Sequence, residues 1–214
     1  MKHKSLNETA YDIIREKILK GEFEPGSRLR EDLLADEIAM SRTPVREAIN
    51  RLVADGLIIN QVRKGLYLIQ PENCEIEEYI DIRNALEKLS VEKCIKNSTD
   101  EHREEIRKSL QEFKTALDAE DYVKCNTLDA DFHMTIAKIA GSEKLLKLLK
   151  EFAAFFQLAR RTEKRTHPRE KNERTFREHS LIAEAILAND VEAACKAMTA
   201  NIETMRTNLH QKGE

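Results

Sequence analysis

The chain has 214 residues, 41% hydrophobic and 35% charged, with 36 Lys/Arg against 39 Asp/Glu and a net charge of −3. That length accommodates two domains or one large one. No stretch approaches the ~18 apolar residues a membrane helix needs, and the opening residues lack the apolar run of a secretory leader, so a cytoplasmic location is expected. The four cysteines (Cys74, Cys94, Cys125, Cys195) have no paired spacing, which suggests neither a disulfide framework nor a cysteine zinc site and suits mostly buried thiols in a reducing compartment.

In chain order, Leu29, Leu33, Leu34 and Ile38 mark a short helix, and Ala39-Met40 separate it from a second. Ser41 or Thr43 can cap the second helix, and Pro44 fits its first turn because proline has no N–H to satisfy there. Val45, Ala48, Ile49 and Leu52 recur at i, i+3, i+4, i+7, so one stripe is buried. Arg42 and Arg46 lie off that stripe, one turn apart, where guanidinium groups and a helix N-terminus can meet phosphate or guanine. This is a helix-turn-helix pattern. Asp55-Gly56 ends the helix, and Leu57-Ile58-Ile59 and Leu66-Tyr67-Leu68-Ile69 read as two strands around a basic tip, Val62-Arg63-Lys64-Gly65. The whole is predicted to be a winged helix, its tip reaching a neighbouring groove.

Charge supports this locally rather than globally. Residues 1–70 carry 12 Lys/Arg against 11 Asp/Glu, and residues 71–214 carry 24 against 28. Residues 42–64, however, hold five cations against Glu47 and Asp55. Such a patch makes one salt-sensitive half-site, and two copies related by symmetry would bind better. Pro71 blocks continuation of the last strand. Beyond it, predicted helices run from about 76 to 96, 99 to 119, 121 to 140, 143 to 165, 169 to 188 and 191 to 211, with an aliphatic core implied by only 5% aromatics. The expected fold is mainly α: a winged helix-turn-helix domain (1–70), a linker (71–74) and an all-α bundle of about six helices (75–214).

Residues 5–69 resemble the DNA-binding domain of GntR-family bacterial transcription regulators. The resemblance rests on the run Gly21-Glu22-Phe23-Glu24-Pro25-Gly26-Ser27-Arg28-Leu29-Arg30-Glu31, on Ser41-Arg42-Thr43-Pro44-Val45-Arg46-Glu47-Ala48, on Leu52 to Ile58, and on Gly65. Ala39 departs from the glycine common in the interhelical turn. The resemblance implies that Arg42, Thr43 and Arg46 read the major groove of operator DNA, with Ser41 on phosphate and Arg63, Lys64 and Gly65 at the wing. Arg51 is either a further phosphate contact or a solvated side chain.

Residues 75–211 resemble, more loosely, the FCD-type ligand-sensing domain of the FadR branch. The matching places are Asp81 to Glu87, Leu128-Asp129-Ala130-Asp131-Phe132-His133, Glu178 to Ile186, and Ala193-Ala194 to Met198. Many members hold a divalent metal on an aspartate and three histidines. Here Asp129, His133 and His179 match three of the four ligands and Asn201 takes the fourth place, as a weak or absent ligand. Zinc, nickel or manganese are candidates, and a metal-free hydrogen-bonded cluster is the alternative. The resemblance further implies a homodimer and a small-molecule effector. A small carboxylate would complete the metal's coordination, with Arg83 and Arg161 as anchors. Members that bind acyl-CoA without a metal keep a second effector class open. Together these imply a ligand-responsive repressor of metabolic genes, not an enzyme. A metalloenzyme using Asp129, His133 and His179 lacks a general acid or base beside them, and a DNA-packaging role leaves the bundle unexplained.

Overall fold

Ser5 and Glu8 start the first helix, α1 (Leu6–Lys20), in a computed structural model that describes residues 4–160 and 168–210. The Glu8 N–H donates to Ser5 Oγ at 3.2 Å and the Ser5 N–H to Glu8 Oε2 at 2.8 Å, a reciprocal cap that satisfies two otherwise orphaned donors. Ala10, Ile14 and Ile18 form its buried stripe, and Gly21 closes it in the left-handed conformation at φ 88°, where glycine carries no Cβ penalty.

The stripe of α1 packs on α3 (Arg42–Ala54), which also carries α2 (Glu31–Glu37). In α2 the buried positions are Leu34 and Ala35, while Leu33, expected on the inner face, is 55% exposed. The turn between α2 and α3 holds Ala39 at φ 52°, the left-handed region that a Cβ disfavours. Three antiparallel strands follow the order β1 (Arg28–Leu29), β3 (Gly65–Leu68), β2 (Ile58–Gln61). The hairpin pairs Ile58 with Leu68, both buried against the helices. β1 is an addition to the expected hairpin, since two residues are too few to show a period.

Six helices follow among the described residues: α4 (Asn73–Asn97), α5 (Asp100–Asp118), α6 (Tyr122–Ile139), α7 (Glu143–Ala159), α8 (Pro168–Leu187) and α9 (Val191–His210). Helix α4 begins at Asn73, within the expected 71–74 linker. Helix α7 is described as far as Ala159; its expected end near Arg165, and Arg161 with it, lie outside the described residues. Thr99 caps α5 with His102 in the place of the usual acid: the His102 N–H donates to Thr99 Oγ1 and the Thr99 N–H to His102 Nδ1, each at 3.3 Å. Two units result, residues 4–73 with 154–160, and residues 74–153 with 168–210.

Within the bundle α8 packs on α9 and α5 on both α6 and α8. One cluster joins Phe113, Ala116, Leu117 and Cys125 to Tyr122, Leu128 and Phe176, and another joins Ala137, Ala140, Leu145 and Leu149 to Leu86, Met134 and Leu146. The core is not purely aliphatic, because the few phenylalanines are concentrated inside, with Phe113, Phe132 and Phe156 fully buried. Cys94 and Cys125 are buried as expected, whereas Cys74 is exposed and Cys195 half-buried. No helix among the described residues is long and apolar enough to cross a membrane.

Candidate functional site

The N-terminal end of α3 presents the residues expected to read DNA. Pro44, Val45, Ala48, Ile49 and Leu52 are buried, while Ser41, Arg42, Thr43 and Arg46 are exposed on the opposite side. Ser41 occupies the N-cap position, yet its side chain makes no capping hydrogen bond, and Thr43 lies within the first turn. The expected side-chain cap is therefore absent, and the backbone N–H groups of the first turn are not occupied by it, which suits an anion-facing helix end. Arg46 Nε donates to Glu31 Oε1 at 2.7 Å, so α2 orients this guanidinium from one edge.

The wing tip is exposed at Arg63 and Lys64, with Arg63 at φ 63° and the Lys64 N–H closing the turn on Gln61 O at 3.0 Å. Gly65 has φ 109°, and a Cβ there would lie 3.3 Å from Arg28 Nε. Arg28 is thus a further exposed cation beside the wing, brought there by β1 pairing with β3. Sequence reasoning missed it because the pairing is non-local and its strand too short to signal itself. Arg51 is accounted for differently: its guanidinium lies 4.0 Å above the Tyr11 ring. The Tyr11 hydroxyl donates to Asp55 Oδ2 at 2.6 Å, tying α1 to the end of α3. Burial, followed by that bond, pushes the Tyr11 pKa up to about 12.

In the bundle, α6 places Asp129 and His133 one helical turn apart, and α8 brings His179 to them. One ligand atom from each lies within 4.8 Å of the others. His133 is 2% exposed and His179 fully buried. The His179 ring stacks on Phe132 at 4.2 Å with an interplanar angle of 16°, and meets Phe113 and His133 edge-on. Its Nε2 is 3.3 Å from Asp129 Oδ1, but neither ring nitrogen makes a hydrogen bond. The approach is close without being directed along a lone pair. Burial lowers the His179 pKa against the opposing pull of Asp129, which favours the form that offers a lone pair to a metal.

A fourth residue, not singled out from the sequence as a site residue, completes the cluster. Glu87 on α4 is fully buried, and its Oε1 accepts from Arg83 Nε at 3.2 Å and Arg83 Nη2 at 3.1 Å. The same oxygen lies 3.1 Å from His133 Nδ1, again without a directed hydrogen bond. Burial works to raise the Glu87 pKa, but His133 and Arg83 together outweigh it and bring it down to about 2. Arg83, expected to anchor an effector, is buried and held by this internal carboxylate, with Nη1 directed to Met205 Sδ at 3.2 Å. The i, i+4 spacing of Arg83 and Glu87 was the available signal for that pair. Asn201 is buried on α9, and its amide nitrogen donates to Glu178 Oε2 at 2.8 Å while Thr204 Oγ1 donates to Glu178 Oε1 at 2.7 Å. That bond occupies the amide nitrogen and not the amide oxygen. An Asp129 oxygen and two imidazole nitrogens form a suitable donor set for a divalent cation, and such an ion would give an unbonded His179 nitrogen a partner.

Comparison with known proteins matches both halves. The description "Bacterial regulatory proteins, gntR family" fits residues 6–68, and "FCD domain" fits residues 78–204. An uncharacterized HTH-type transcriptional regulator of Bacillus subtilis is 28% identical over 192 residues, covering 89% of this chain and 85% of its own length. The gluconate operon transcriptional repressor of Bacillus licheniformis is 28% identical over 196 residues, covering 90% and 80%. Among solved structures, E. coli McbR/YncC superposes with a TM-score of 0.86 at 21% identity over 98% of this chain and 99% of that one. That likeness speaks for the fold alone.

Proposed function

Because the chain belongs to the gntR family of bacterial regulatory proteins, with an FCD domain following its DNA-binding domain, we propose that it is a cytoplasmic, homodimeric repressor of metabolic genes that senses a small carboxylate at a metal-bearing site. Membership makes it a DNA-binding transcription regulator and not an enzyme. In this reading residues 1–70 bind operator DNA, residues 75–214 sense and dimerise, and 71–74 connect them. Arg42, Thr43 and Arg46 enter the major groove, Ser41 meets phosphate, and Arg63, Lys64 and Gly65 form the wing contact. A second copy of the chain would cover the exposed apolar row Ile82, Ala85 and Leu89 on α4, where Ile82 is 51% and Leu89 40% exposed.

The observation that carries the sensing half is the pair of buried, unbonded His179 nitrogens beside Asp129 and His133. Asp129, His133 and His179 would hold zinc, nickel or manganese, with Asn201 as a weak fourth ligand, and the metal would supply open positions for carboxylate oxygens. Arg83 is assigned as the chain's own anchor for the effector's carboxylate. Arg161 is assigned the same role from the sequence. The relative named for gluconate, itself a carboxylate, agrees with this class of effector. Binding favours one arrangement of the bundle, and DNA affinity changes by the effector's preference for that arrangement.

Metal analysis by mass spectrometry of untagged protein, beside His179→Ala, tests the reading. About one metal per chain, lost in the variant, supports it. No metal after incubation with zinc, nickel and manganese overturns it, and moves acyl-CoA and other metal-independent ligands to the front.

A further inference from the structure

We propose that Glu87 is the positioning residue of this metal site: anchored by Arg83, its carboxylate takes the Nδ1–H of His133 and thereby presents Nε2 to the metal. The inference rests on the metal-site reading and names what orients one of its ligands. Three observations carry it. Glu87 is fully buried, and its own helix pairs it with Arg83 at i−4. The oxygen that Arg83 grips is also the one 3.1 Å from His133 Nδ1, so the two contacts converge on a single atom. His133 and Glu87 come from different helices, α6 and α4, so their meeting is a product of the tertiary fold.

An imidazole has nitrogens at two corners. A carboxylate at Nδ1 retains the proton there, leaves the lone pair on Nε2 and makes that nitrogen a better donor. The contact at 3.1 Å is not yet directed; a small turn of the ring as Nε2 engages a cation aligns it. The two histidines are then oriented by different means. His179 is held by stacking on Phe132 at 4.2 Å, which fixes its plane without choosing its tautomer, whereas His133 has its tautomer chosen by Glu87.

The test uses the full-length chain and cobalt(II) and zinc as probes. Glu87→Gln keeps the shape but removes the charge and should weaken both metals by about 10-fold, within the range seen when such outer partners are lost. Because removing one charge of a buried pair can unfold the chain, a second variant, Arg83→Met with Glu87→Leu, removes both charges and should weaken binding by up to about 100-fold. Nitrogen-15 NMR of metal-free protein supplies a readout that packing alone does not move: His133 should carry its proton on Nδ1 in the native chain and lose that preference in the double variant. A native chain that binds cobalt while both variants bind it equally well, with the same His133 tautomer, overturns the role of Glu87 and leaves the metal site standing. A native chain that binds neither metal overturns the site itself, and this inference with it.

Discussion

Arg83 and Glu87 form a buried ion pair in the bundle, and its removal one partner at a time should be costly. The side chains are 7% and 0% exposed and meet at 3.1 Å. Water cannot replace a partner lost at that depth. Arg83→Met strips Glu87 of both guanidinium bonds; Glu87→Leu strips the guanidinium of its buried carboxylate partner. Truncating one member of a buried ion pair costs about 3–5 kcal/mol, while replacing both by apolar residues is often neutral. At roughly 2–4 °C per kcal/mol for a chain of this size, each single variant should melt about 6–20 °C lower. The double variant should recover most of that loss. Urea unfolding followed by far-UV circular dichroism, in chelator so that no metal contributes, gives the four stabilities of the cycle. Single costs below about 1 kcal/mol that simply add in the double variant would show that the two groups do not interact, refuting the reasoning.

Arg46→Ala should leave the circular dichroism spectrum unchanged but weaken binding to an operator selected from random-sequence DNA by about 1–3 kcal/mol per half-site, some 5- to 150-fold; unchanged fluorescence anisotropy titrations would sink the recognition-helix assignment. Ala39→Gly should stabilise the chain, because an L residue at φ 52° costs about 1–2 kcal/mol and the freer unfolded chain of glycine returns only about 0.4–1; a lower urea midpoint contradicts this. Tyr11→Phe removes a 2.6 Å bond to Asp55 and should cost about 1 kcal/mol, the low end for a charged acceptor because the site is partly solvated. The Tyr11 pKa is raised from 10.0 to about 12, so its stabilisation is complete below pH 10 and disappears as pH climbs to 12. Urea midpoints of the native chain should fall toward those of Tyr11→Phe across that window, and a constant gap would count against it.

What could be read from the sequence was what lies close together along it. The stripe Val45, Ala48, Ile49, Leu52 and the basic tip at Arg63-Lys64 are local patterns, and Asp129 and His133 share a helix face by spacing alone. Ala39 was marked only as a departure from a glycine; its φ explains why glycine suits that turn. What escaped was set by non-local contact. Arg28 reaches the wing through strand pairing, Arg46 finds Glu31 across two helices, and Glu87 meets His133 from another helix. The phenylalanines misled for a related reason: composition gives their number, not their gathering around His179. The absent cap at Ser41 is a further lesson, since an N-cap residue type does not oblige its side chain to bond.

The buried polar set can be made to decide between a metal site and a purely structural cluster. If Asp129, His133 and His179 existed to hold the helices together, their polar atoms would be bonded to one another. Instead both His179 nitrogens, His133 Nδ1, Glu87 Oε2 and Ser90 Oγ are buried without hydrogen bonds among the described residues. Each such atom costs about 1–3 kcal/mol, so the arrangement is a poor way to stabilise an otherwise apolar bundle. His179→Leu, close in volume, separates the cases. As a ligand set, the cluster should lose nothing in chelator, and the variant should be as stable as the native chain or more so by about 1–2 kcal/mol as unbonded nitrogens disappear. Excess zinc at about 100 times its dissociation constant should then stabilise only the native chain, by about 2.7 kcal/mol. As a structural cluster, the same change would strip Asp129 of its imidazole and destabilise the metal-free protein by more than about 1 kcal/mol, with zinc making no difference to either chain. The unbonded nitrogens favour the first outcome, because evolution toward stability alone would have replaced them.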